Sequence, residues 1–69
     1  MNASEKKILY YKPGTSLVRA VGQPAFVRSL ANADIPNDRQ IITSDVVAYD
    51  AASGCIETLI CFYIPFTGA

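Results

Sequence analysis

The chain has no histidine and no tryptophan, only two cysteines, and charged residues at just 17% of its 69 positions. Without histidine, Ser–His and Cys–His nucleophile activation and imidazole acid–base catalysis are excluded. Two cysteines are too few soft ligands for a structural zinc site within one chain. The four glycines, Gly14, Gly22, Gly54 and Gly68, stand singly, so there is no glycine-rich phosphate loop. No apolar run approaches the roughly 20 residues that span a bilayer. The opening MNASEKK lacks the apolar core of a secretory signal. These absences predict a non-enzyme with no catalytic residues, no cofactor, no metal site and no membrane partner.

Net charge is zero, from six basic and six acidic residues. That removes the electrostatic footprint of a dedicated nucleic-acid binder, so nucleic acid is not an expected partner. Apolar residues make up 51% of the chain. A domain this short buries only about 60% of the surface its unfolded chain exposes. Homo-oligomerisation, as a dimer or larger, is the expected outlet.

The stretch from Gln40 to Pro65 holds most of the apolar residues and reads as two long strands joined by a turn. Asp50 suits an Asx-type turn, and Gly54 supplies the positive φ that closes it. Pairing Asp50 with Cys55 sets Tyr49 opposite Ile56 and Ala48 opposite Glu57, and then Val47 opposite Thr58. The second strand is expected to run unbroken from Cys55 to Pro65. Ile60, Phe62 and Ile64 then line one face and Leu59, Cys61 and Tyr63 the other. On one straight strand the two cysteines would lie about 20 Å apart at about 3.3 Å per residue. A disulfide needs Cα atoms within about 7 Å, so two free thiols and a reducing cytoplasm are expected.

Earlier in the chain, residues 1–5 read as a flexible lead-in and 6–66 as a single domain, with 67–69 a tail. Lys6–Lys12 and Thr15–Gly22 read as strands around a Pro13-Gly14 turn. Gln23–Asn32 is the one expected helix, with Pro24 at its first position and Phe26, Val27, Leu30 and Ala31 on one side. Ala33–Arg39 reads as a loop. The expected fold is therefore α+β, in the order β-β-α-β-β: a four-stranded, mostly antiparallel sheet with one short helix on a face. The alternative is a small all-β barrel in which the helical segment is only a turn.

One short helix covers part of one sheet face, which leaves the other needing a partner. The sequence thus points to an interaction or structural module acting through an apolar sheet face, as a homo-oligomer or an accessory subunit. Leu59, Ile60, Phe62, Tyr63 and Ile64 are the expected interface. A second reading is a small-molecule binder with an apolar pocket between sheet and helix or at a dimer seam. A third is a phage-type inhibitor of nucleic acid or nucleoprotein, in which Tyr10 and Tyr11 stack on bases beside Arg19 and Arg28.

Overall fold

The computed structural model describes residues 6–68 and contains five strands and, among those residues, no helix. The strands are β1 (Lys7–Tyr11), β2 (Pro24–Arg28), β3 (Gln40–Asp50), β4 (Cys55–Thr58) and β5 (Cys61–Pro65). They form one sheet in the order β1-β5-β4-β3-β2, curled into a half-barrel. β1 runs parallel to β5, and the other neighbours are antiparallel. The edge strands approach each other where Tyr11 bridges Ser29. The expected lead-in over 1–5 lies outside the described residues.

The expected α+β fold is overturned, because the segment taken for a helix is a strand. From Ala25 to Ser29 burial alternates strictly, with Ala25, Val27 and Ser29 inside and Phe26 and Arg28 turned away. Pro24 is tolerated as easily at the first residue of a strand as at a helix start. Under three turns of helix have little stability of their own. Pairing with the first half of β3, Phe26 with Ile42 and Val27 with Ile41, satisfies the backbone instead. The all-β alternative has the right class, since the strands form a curled half-barrel, but this segment is a sheet strand rather than a turn. Thr15–Gly22 is an arch, not a strand; it touches β2 at one bridge, Leu17 to Phe26.

The hairpin around Asp50 forms in the expected register for its first three pairs, Asp50–Cys55, Tyr49–Ile56 and Ala48–Glu57. The Asp50 carboxylate accepts the Ala52 N–H at 3.1 Å and the Ser53 hydroxyl at 2.9 Å. Gly54 closes the turn at φ +81°. A bulge then shifts the register so that Thr58 pairs with Val46 rather than Val47. A second irregularity lies between Pro24 and Phe26 on β2. The kinks let one strand of 11 residues serve two neighbours, β2 with its first half and β4 with its second.

The unbroken strand from Cys55 to Pro65 is likewise corrected. It folds back at Leu59-Ile60 into β4 and β5, pairing Glu57 with Phe62 and Ile56 with Tyr63. The turn lacks Gly, Asn, Asp and Pro; Thr58 supplies the missing turn chemistry. Its hydroxyl accepts the Cys61 N–H and donates to the Cys61 carbonyl, both at 3.1 Å. This reversal puts Ile56 and Thr58 on the same side as Cys61 and Tyr63. The core is Tyr11, Ala25, Val27, Val46, Ile56, Cys61 and Tyr63, with Leu9, Val18 and Ile41 packed against it. Asp45 is exposed and paired with Pro24.

Candidate functional site

Parallel pairing of β1 with β5 builds the outer face from two remote parts of the chain. Ile8 lies beside Phe62, and Tyr10 beside Ile64. Partners in a ladder point the same way, so these four residues share the side away from the core. Ile8 is 53% exposed and Tyr10 37%, while Phe62 and Ile64 are half-buried. The Phe62 row continues across the sheet through Glu57 to Ala48. Phe66 meets Tyr10 edge-on, with ring centroids 5.8 Å apart. Leu59 and Ile60 are exposed at the turn just before β5 and extend the apolar surface.

One charged pair borders this face. Lys6 Nζ donates to Glu57 at 2.6 Å and to the Thr58 carbonyl at 2.7 Å, and it lies 5.6 Å from the centre of the Phe62 ring. Its positive charge thus shields Glu57 and lies within cation–π range of Phe62. A shallow groove of about 250 Å3 runs along Ala48, Tyr49, Asp50, Cys55, Glu57 and Phe62.

The five residues expected at an interface are not all on this surface. Phe62 and Ile64 face outward, Leu59 and Ile60 form the turn, and Tyr63 is core. Burial, together with the adjacent Cys61, pushes the Tyr63 phenol up to about 12. The proposed nucleic-acid set is dispersed. Tyr11 is buried, and that burial raises its phenol above the ordinary value. Arg28 is exposed on β2 and donates to the Asp38 carbonyl at 2.7 Å. Arg19 is exposed on the arch, and Tyr10 alone of the four is on the outer face.

Of the outer-face residues, sequence reasoning missed Ile8 and singled out Tyr10 only as a base-stacking candidate. Their shared strand face was legible, but β1 lying next to β5 leaves no local signal. Both cysteines are free, Cys61 in the core and Cys55 half-buried on the groove. Among the described residues no three His, Cys, Asp or Glu side chains gather as a metal site requires. No helix of the structure is long and apolar enough to cross a membrane. Comparison with protein-family models, curated proteins and solved structures finds no match for this chain.

Proposed function

We propose that this chain is a small interaction module that associates with copies of itself through the outer face of β1 and β5. The observation that carries this reading is the contiguous set Ile8, Tyr10, Phe62 and Ile64, with Leu59 and Ile60 exposed alongside. Burying one large apolar side chain contributes roughly 1.5–3 kcal/mol, so a few at a seam outweigh much of the cost of association. The reducing cytoplasm fits this reading, because it keeps Cys55 and Cys61 as thiols. A small-molecule binder is the weaker reading: grooves of about 230 and 250 Å3 fall below the roughly 300–1,000 Å3 of ligand pockets.

Light scattering coupled to size exclusion tests the proposal. The parent chain is expected to elute at twice its own mass or more, and Ile8→Lys and Phe62→Lys as folded monomers. A parent that stays monomeric at every concentration, or variants that assemble as the parent does, overturns it.

A further inference from the structure

The two edges of the half-barrel are finished differently. The outer edge of β2 is covered by main chain, where Leu17 and Phe26 exchange hydrogen bonds of 2.8 and 3.0 Å. The outer edge of β1 is covered by main chain only at its far end. The Tyr11 carbonyl accepts the Phe66 N–H at 2.9 Å on the β5 side. By strand alternation Leu9 and Tyr11 therefore spend their backbone groups on β5, and Ile8, Tyr10 and Lys12 turn theirs to the open edge. Lys12 N–H donates to Arg28 at 2.7 Å and the Tyr10 carbonyl accepts Leu30 N–H at 3.4 Å. There main-chain pairing ends, because Ala31 adopts φ 63° and turns the chain away.

The side chain of Asn32 takes over at that point. Its Oδ1 accepts the Tyr10 N–H and its Nδ2 donates to the Tyr10 carbonyl, each at 2.8 Å. A carboxamide has the donor and acceptor of a peptide group, so one side chain stands in for one residue of an added strand. Asn37 Oδ1, accepting the Ala31 N–H at 3.0 Å, and an Asn32–Ile35 bridge brace the loop. The loop does not pack down on β1: a cavity of about 230 Å3 lies between Lys7–Tyr10 and Ala31–Ile35. Hydrogen bonds from one carboxamide, rather than packed apolar side chains, hold the edge shut.

We propose that Asn32 is an edge cap: it occupies the positions on β1 at which β1 of a second copy would add, and so keeps the sheet from growing through that edge. Among the described residues β1 is the edge whose main-chain cover stops at Tyr10 and leaves Ile8 open, so the matching edge of a second copy is β1 itself. An antiparallel pair about Leu9 would set Ile8 of each copy against the partner's Tyr10, with four backbone hydrogen bonds. Lys7, exposed on the same strand, adds like-charge repulsion that salt screens. This association is separate from that through the outer face.

The test uses Asn32→Ala and Asn32→Asp in the parent chain and in a Phe62→Lys background, where association through the face is removed. Amide exchange at Tyr10 and the mass by light scattering are the readouts. In the Phe62→Lys background, at concentrations where the chain is monomeric, the Tyr10 amide of Asn32→Ala is expected to exchange about tenfold faster, equivalent to about 1.4 kcal/mol for the paired bonds. The mass of the Phe62→Lys, Asn32→Ala chain should rise with concentration and with added salt towards that of a dimer. Asn32→Asp keeps the acceptor for the Tyr10 N–H and loses the donor, so it should fall between the two; it decides the matter if Asn32→Ala does not fold. A folded Asn32 variant that remains monomeric at all salt concentrations, or whose Tyr10 amide exchanges in the monomer as it does in the Phe62→Lys chain, overturns the proposal.

Discussion

The hydroxyl of Tyr11, on the first strand, donates to the carbonyl of Gly54, in the turn between β3 and β4, at 2.5 Å across 43 residues of chain. The contact ties the turn to the far side of the core, and it allows no side chain at position 54. A Cβ there would come 2.8 Å from Pro65 Cγ and 2.9 Å from the Tyr11 hydroxyl, on a backbone at φ +81°. Tyr11→Phe should cost about 1 kcal/mol, the net worth of one hydrogen bond. Gly54→Ala should cost more, about 2 kcal/mol or above, from strain and overlap together. Urea denaturation of both variants checks the order; equal losses would show that the turn yields freely.

Phe62 and Tyr63 are neighbours in sequence with opposite roles, Phe62 outward and Tyr63 only 4% exposed. Phe62→Lys should fold, with a loss of about 1 kcal/mol or less. Tyr63→Lys places an unpaired charge in the core and should leave the chain unfolded by circular dichroism. Two variants with the same spectrum would contradict this alternation along β5.

The thiols differ in access. In native protein one thiol per chain, Cys55, should react readily with a thiol reagent, and Cys61 should react only as the fold opens. Denaturation without reductant should release two. Equal native reactivity would place Cys61 at the surface.

Stability should fall at alkaline pH. Tyr63 ionises near 10.0 when exposed and at about 12 in the fold, so between those values the unfolded chain holds fewer protons. Its contribution is fully present below pH 10 and is lost as pH rises through 12, on the order of 2 kcal/mol. The raised Tyr11 phenol acts in the same direction. Thermal melts from pH 8 upward, read with tyrosinate absorbance, check this; a midpoint that stays flat beyond pH 11 would contradict it.

What the sequence disclosed was local. The Asp50–Gly54 turn carries its own chemistry, and its first three pairs follow from it. Strand alternation alone separates Ile8 and Tyr10 from Leu9 and Tyr11. The Leu59-Ile60 turn was hidden because its determinant is a threonine hydroxyl before it rather than a residue within it. The segment from Pro24 fits helical and strand periods alike, and its partner β3 decides between them. The outer face was half legible: Phe62 and Ile64 stood out as apolar, but only long-range pairing adds Ile8 and Tyr10.

The parallel ladder between β1 and β5 also constrains the time course of folding. Lys7 must find Cys61 and Tyr11 must find Pro65, so β1 has no sheet neighbour along its β5 side until nearly the whole described chain is available. Closing so long a loop before any contact repays it is slow, and places this fold with the slow, non-local folders. On a ribosome, β1 would wait with its apolar residues uncovered while the β3–β4 hairpin formed by itself. The final step of folding would then be the docking of two ends rather than the growth of a nucleus.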